Sequence, residues 1–264
     1  MNSLARPHLV GVLQQALQSL DCVEAAWEGG SAAFGSLDDW SDIDAVVVVA
    51  DDAVEATFGQ VEAALHAVSP VILRYDTPGT VGFAQKFFRL RDAAECLMVD
   101  LVLIRRSDPL MFREVELHGH GRTWFDRRGI LVEQHLDVVQ DTAQACLRVA
   151  PLRAAFLMFQ HLITKEIRRG RAVDALAFYQ AMSLRPLVEA LRLLHCPQRR
   201  AFGLRYLARD LPVDVCQRVE SLAFVHDLQD LAVKHGQVQL WFARCMERLQ
   251  QLGPGAGLDP LYGD

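Results

Sequence analysis

Two carboxylates stand at the mouth of a β-branched run in Asp42-Ile43-Asp44-Ala45-Val46-Val47-Val48-Val49. Ile43 to Val49 is apolar at successive positions, as expected of a central strand covered on both faces. Residues two apart on a strand share a face, with Cα atoms about 6.6 Å apart at ~3.3 Å rise per residue, so Asp42 and Asp44 can converge on one site. Carboxylates that close repel each other unless protons or cations lie between them. Hard oxygen donors suit Mg²⁺, which takes one or two carboxylates and shares its remaining coordination with substrate phosphates. Upstream, Gly29-Gly30-Ser31 offers backbone amides and a hydroxyl suited to phosphate oxygens. An Asp-x-Asp ahead of a strand also arises as ordinary turn chemistry. Against that stands Asp100, set inside the apolar run Leu97 to Ile104, because a charge in such a run is rarely buried unless paired or metal-bound.

Gly30-Ser31 followed by Asp42-x-Asp44 opening a strand resembles the signature of the DNA polymerase β-like nucleotidyltransferase superfamily, and within it the bacterial aminoglycoside and lincosamide nucleotidyltransferases. The likeness covers roughly residues 1–130 by motif and the rest by general architecture. It implies an α+β chain: an N-terminal nucleotidyltransferase-fold mixed sheet with flanking helices, plus a C-terminal all-α helical bundle domain. It implies a third carboxylate from a neighbouring strand, which Asp100 matches; the adjacency of the two strands comes from the family and not from spacing. Asp42, Asp44 and Asp100 are then the expected catalytic and metal-binding residues, for two Mg²⁺ ions about 3.5 to 4 Å apart in sites of this kind. Gly30 and Ser31 would fix the outer phosphates of ATP or another NTP, and Asp100 would be a metal ligand or the base that takes the acceptor proton. The implied reaction transfers a nucleoside monophosphate, most simply AMP, to a hydroxyl of a small-molecule acceptor and releases pyrophosphate. In related two-domain enzymes the helical domain supplies cations to the nucleotide phosphates. Lys165 is the candidate here, with the competing reading that cations gather near a helix C-terminus because its dipole favours them.

Two other readings keep the fold and change the role. One is modification of RNA or protein, including an antitoxin-type function; the other is a noncatalytic nucleotide sensor. The net charge of −6 divides unevenly: residues 1–100 hold 5 Lys+Arg against 15 Asp+Glu, and residues 148–209 hold 12 against 3. The basic stretch could meet a polyphosphate. Overall acidity and the lack of an aromatic-basic platform argue against broad nucleic-acid binding. A hydrophobic share of 51% permits a sizeable core. Six scattered cysteines without a C-x-x-C pair suit reduced thiols and a cytoplasmic setting. No apolar run reaches the roughly 20 residues of a membrane span, and no secretory signal is evident. Oligomeric state is not readable.

Three segments are expected: a catalytic domain at 1–130, a helical domain at 131–252 and a loose tail at 253–264. In the first, an amphipathic helix over 4–20 precedes a strand at Val23 to Glu28. Ala32 to Trp40 reads as an irregular loop with Phe34 packed inward. A helix from Asp51-Asp52 to Val68 would carry those acids in its first turn. A strand at Pro70 to Tyr75 and a turn at Thr77 to Thr80 follow. Val81–Leu90 and Leu97–Ile104 then form a hairpin in which Phe83, Gln85, Phe87 and Arg89 share one face, and Lys86 the other. Arg122 to Phe125 is a last strand, preceded by His118 and His120 in a polar loop that lacks a third metal ligand. Helices are expected over Leu131–Val149, Leu152–Arg169, Ala172–His195 with a kink or split at Pro186, Pro212–Lys234 and Gln237–Leu252. Arg192, Arg199, Arg200 and Arg205 read as a mostly surface cluster around a basic connector.

Overall fold

The structure, a computed structural model, describes residues 4–79 and 81–252. The expected tail and the last residue of the turn at 77–80 lie outside the described residues. The chain divides into two units, Met1–Leu136 and Asp137–Asp264.

The first unit is built in the order α1 (Arg6–Gln18), β1 (Val23–Glu28), α2 (Gly30–Ala33), β2 (Ile43–Val49), α3 (Val54–Val68), β3 (Val71–Asp76), β4 (Ala84–Leu90), β5 (Val99–Arg105), α4 (Val115–His118) and β6 (Arg122–Asp126). Its six strands lie in the order β3-β4-β5-β2-β1-β6. β2 and β5 pair in parallel, while the other neighbours are antiparallel. The valine run of β2 is central and buried, as its two-sided apolar sequence requires. One face of the sheet is covered by α1 and α3, whose Leu9, Leu13, Leu17, Phe58, Val61 and Leu65 join Ala45, Val47, Val49, Leu101 and Leu103. Each fully buried leucine there contributes roughly 1.5–3 kcal/mol at most. The opposite face carries a smaller cluster of Trp27, Val46, Val48, Val102 and Ile104, packed by loop residues such as Leu110, Met111 and Phe112.

Two local expectations are corrected in this unit. Gly30–Ala33 forms one turn of helix where an irregular loop was expected to begin. Asp51 and Asp52 precede α3 instead of opening it; Asp51 Oδ1 accepts from the Ser107 amide at 3.0 Å, so it ties two loops together. His118 and His120 pair with Glu114 and Glu133.

The second unit contains α5 (Val138–Arg168), α6 (Ala172–Tyr179), a π turn (Gln180–Leu184), α7 (Arg185–His195), a 3₁₀ segment (Pro197–Phe202), α8 (Leu207–Asp210), α9 (Val213–Ala223) and α10 (Leu228–Leu252). The expected break at Pro151 is absent, because α5 runs through it. A proline there removes the bond to the carbonyl of Leu147, and Leu147 is exposed, so water can take that carbonyl while Leu152 and Phe156 stay buried. The stretch 131–137 is not helical; Asp137 caps α5 by accepting from the Gln140 amide. Pro186 opens α7 after the π turn. Its missing N–H would strand the Met182 carbonyl, and the side chain of Gln160 supplies the donor at 2.9 Å.

The expected helix over 212–234 ends early. Asp227 accepts from the Asp230 amide at 2.8 Å and starts α10, which continues through Gly236. Phe156 and Phe242 stack at 3.7 Å in the core of this unit. By length and composition alone α5 could cross a bilayer. All six cysteines are free thiols.

The arginine cluster is also corrected. Arg192 and Arg199 are buried, not superficial. Arg192 Nη1 donates to Asp210 Oδ2 at 2.6 Å, its Nε to the Gly203 carbonyl at 3.0 Å and its Nη2 to the Arg205 carbonyl. Arg199 Nε reaches the same Asp210 oxygen at 3.1 Å. Arg200 pairs with Asp141 at 2.6 Å. These cations hold the 197–210 connector together, which a count of charges does not reveal.

Candidate active site

Parallel pairing of β2 and β5 puts Asp44 directly opposite Asp100. Both carboxylates belong to the less covered face, beside Val46 and Val102, and both are half-buried. Burial is the main cause that pushes the Asp100 carboxyl up, to about 6, with Asp44 and Asp42 adding repulsion and a Gln85 hydrogen bond opposing it. Asp44 is raised for the same reasons: burial first, then Asp42 and Glu28, against a smaller opposing pull from Arg6. Asp42, at the strand entry, accepts from the Met98 amide through Oδ1 at 2.9 Å, which fixes its carboxylate at the start of β5.

The glycine turn lies over this pair. Gly29 donates its amide to the Asp44 carbonyl at 2.8 Å. Gly30 has φ +53, and a Cβ added there would lie 1.8 Å from Asp44 Oδ2. Both the left-handed backbone and the close approach require glycine at this position. Ser31 follows in α2, half-buried, with its carbonyl accepting from the Ser36 amide at 3.0 Å. Five of the six expected site residues, Gly30, Ser31, Asp42, Asp44 and Asp100, therefore fall in one neighbourhood of the first unit. Lys165 belongs to the second unit, exposed in the last turn of α5 beside the buried Glu166, which pairs with Arg169 and Arg171.

Three supporting side chains escaped the sequence reading. Gln85 on β4 donates from Nε2 to both oxygens of Asp100, at 2.8 and 3.0 Å. Glu28, the last residue of β1, is fully buried and paired with Arg6; its other oxygen, Oε2, has no hydrogen-bond partner. Arg6 also donates to the Asp42 carbonyl from Nε and Nη2, at 3.1 and 3.0 Å. The signal for Gln85 was present: it is the lone uncharged polar residue on a strand face otherwise occupied by Phe83, Phe87 and Arg89. Glu28 and Arg6 carried none, since their partnership joins a helix to a strand 22 positions away.

Among the described residues no group of three or more His, Cys, Asp or Glu side chains is gathered as a ready ligand set. What the sheet supplies is an adjacent pair, Asp44 and Asp100, with Asp42 close enough to raise both. All the donors are hard oxygens, and the raised carboxyls mark negative charge that a cation would neutralise. The set fits a Mg²⁺ ion held by one or two carboxylates that leaves positions for phosphate oxygens.

No family model and no curated protein matches the chain. Among solved structures it is similar to an aminoglycoside 6-adenyltransferase from Bacillus subtilis, at 11% identity and TM-score 0.37, covering 94% of this chain and 91% of that one. It is similar to a nucleotidyltransferase-like protein from Exiguobacterium sibiricum, at 15% identity and TM-score 0.40, covering 90% and 78%. A third similar structure is the spectinomycin adenyltransferase from Enterococcus faecialis with ATP and spectinomycin, at 12% identity and TM-score 0.30, covering 93% and 100%. Each of these three carries a nucleotidyltransferase or adenyltransferase name.

Proposed function

We propose that the protein is a metal-dependent nucleotidyltransferase that moves a nucleoside monophosphate, AMP from ATP in the simplest case, to a hydroxyl of a small acceptor and releases pyrophosphate. The observation that carries this reading is the in-register pair Asp44 and Asp100 with Gly30 pressed against the Asp44 carboxylate.

In this reading Asp42, Asp44 and Asp100 hold Mg²⁺, which when bound supplies neutralising charge for the triphosphate and for the acceptor oxygen. Gly30 and Ser31 seat the outer phosphates, since a glycine without a Cβ lets the backbone approach them closely and the serine adds a hydroxyl. Gln85 holds both oxygens of Asp100 and so fixes the direction of that carboxylate. Asp100, as a ligand of the ion or as the base, stands beside Asp44 where it can take the proton of the incoming hydroxyl. Arg6, bonded to the Asp42 carbonyl and to Glu28, holds the Asp42–Asp44 segment against the end of β1. Lys165 is the proposed cationic contact from the helical unit to the nucleotide phosphates.

Incubation with Mg²⁺, labelled ATP and a panel of aminoglycosides, lincosamides, RNA and proteins tests the proposal. The expected result is label on a small hydroxylated compound with stoichiometric pyrophosphate, abolished by EDTA. Label on RNA or protein would move the target to a macromolecule. Tight ATP binding with no turnover on any acceptor would make the protein a sensor.

A further inference from the structure

The register of the sheet extends the row beyond the two carboxylates. Asp44 pairs with Asp100, Asp100 with Phe87 on β4, and Phe87 with Tyr75 on β3. Directly paired residues share a face of a sheet, so Tyr75, Phe87, Asp100 and Asp44 form one line across four neighbouring strands. The rings of Tyr75 and Phe87 lie side by side, with centroids 6.1 Å apart and planes only 30° from parallel. They make a shallow aromatic shelf, half-buried at Phe87 and 56% exposed at Tyr75. It stands outside the buried core of the first unit. The hydrophobic core lies on the other side of the sheet under α1 and α3, and Tyr75 and Phe87 belong to neither cluster of that unit. Lys86, between them in sequence, points to the α3 side, where it pairs with Glu55 and lies over the Phe58 ring.

The glycine turn and the shelf flank the carboxylates on opposite sides: Gly29 continues from β1, next to β2, while Phe87 and Tyr75 lie on β4 and β3, beyond β5. In phosphoryl transfer the attacking and leaving oxygens are roughly in line through phosphorus. If pyrophosphate is held at the turn, the hydroxyl must arrive from the shelf side. We infer that Phe87 and Tyr75 form the platform for the acceptor, and that the acceptor is a ring compound carrying a free hydroxyl, with one apolar or flat face laid on the two aromatic rings.

This rests on the proposed reaction for its orientation. The acceptor oxygen forms a bond to the α-phosphorus, the bond to the bridging oxygen of pyrophosphate breaks with its electron pair leaving on pyrophosphate, and the hydroxyl proton passes to the Asp100 carboxylate. Asp100 is the carboxylate nearest the shelf, one strand from Phe87, and Gln85, on the same strand as Phe87, orients it. Aromatic faces attract the C–H face of a hydroxylated ring, and a protonated amine on that ring adds cation–π attraction. The platform therefore selects rings over linear polyols.

Two measurements separate this inference from the reaction it builds on. Saturation-transfer NMR in EDTA without nucleotide, on a panel of glycosides, aminocyclitols, nucleosides and linear polyols, reads binding alone. A ring compound is expected to receive saturation from wild-type protein, to lose it at least fivefold with Tyr75→Ala or Phe87→Leu, and to keep it with Tyr75→Phe. Saturation that is unchanged in the Ala and Leu variants, or is absent for every ring compound, would overturn the platform whether or not the protein turns over. In the pyrophosphate assay Tyr75→Ala should raise the KM for the acceptor about tenfold and leave the KM for ATP within twofold. Turnover with an unaltered acceptor KM would remove the platform and leave the reaction standing. Binding to the shelf without turnover would retain the platform and remove the reaction.

Discussion

Both units pair their most buried ions, Glu28 with Arg6 and Glu24 with Arg106 in the sheet unit, but the sheet unit also sets like charges face to face. Among the described residues of the helical unit the strongly buried ions have counterparts: Arg192 and Arg199 meet Asp210, and Glu166 meets Arg169 and Arg171. In the sheet unit Asp44 and Asp100 face each other, with Asp42 adding to their repulsion and Arg6 opposing it only at Asp44. Matched ions lock a connector in place. Unmatched ones store a demand for a ligand, and perturbed carboxyls of this kind are where functional sites concentrate.

The sharpest way to break that contrast is Asp44→Asn. If the carboxylate pair binds the metal, pyrophosphate release should fall roughly 10⁴-fold, about 5.5 kcal/mol in barrier at 1.36 kcal/mol per decade, with circular dichroism preserved and Tm not lowered. Next in size is Arg192→Ala, which leaves Asp210 without its shortest partner. Removing one member of a buried pair costs about 3–5 kcal/mol, to be read as a lower midpoint in urea. The same class of change gives loss of activity in one unit and loss of stability in the other.

A third variant sharpens the comparison by its sign. Asp100→Asn removes a carboxyl whose pKa rises from 3.8 to about 6 on folding. Such a group favours the folded state below about pH 3.8 relative to higher pH, and that advantage is lost as pH climbs through about 6. Above pH 6, without metal, the wild type therefore carries a penalty that the asparagine lacks. The variant should be more stable by about 1–2 kcal/mol there, discounting the shift for solvent screening, with the gain vanishing near pH 4. Tm measured in EDTA across pH 4 to 8 checks it, and added Mg²⁺ should raise the wild-type Tm by linkage. Smallest is Lys165→Ala, an exposed side chain: a rise in KM for ATP of about fivefold, ~1 kcal/mol, with Tm unchanged. An unaltered KM would return Lys165 to the solvated surface.

Much of the sheet unit was legible because its signals are local. The valine run of β2, the apolar stretch around Asp100 and the glycine turn each announce themselves within ten residues. Gly30 was legible as a turn, but its contact with the Asp44 carboxylate was not, because the two are 14 positions apart. The helical unit was harder for the same reason. Whether Pro151 breaks a helix depends on whether the Leu147 carbonyl faces solvent, and the π turn before Pro186 persists because Gln160 reaches across from another helix. Arg192 looks like any surface arginine until Asp210 and two carbonyls close around it. Gln85 left a local signal on its strand face, whereas the Tyr75–Phe87 shelf emerges only once register across three strands is known.

The parallel pairing of β2 with β5 joins strands far apart in the chain, which bears on when the sheet can close during synthesis. Antiparallel neighbours such as β3 and β4 can zip through short turns, but β2 must wait for β5, and closing a loop of that length is an entropic hurdle met before any contact rewards it. A nascent chain halted before Val99 would already own the glycine turn and two aspartates, but not the third. If the three aspartates act together as proposed, a fragment lacking β5 should be inert toward nucleotides.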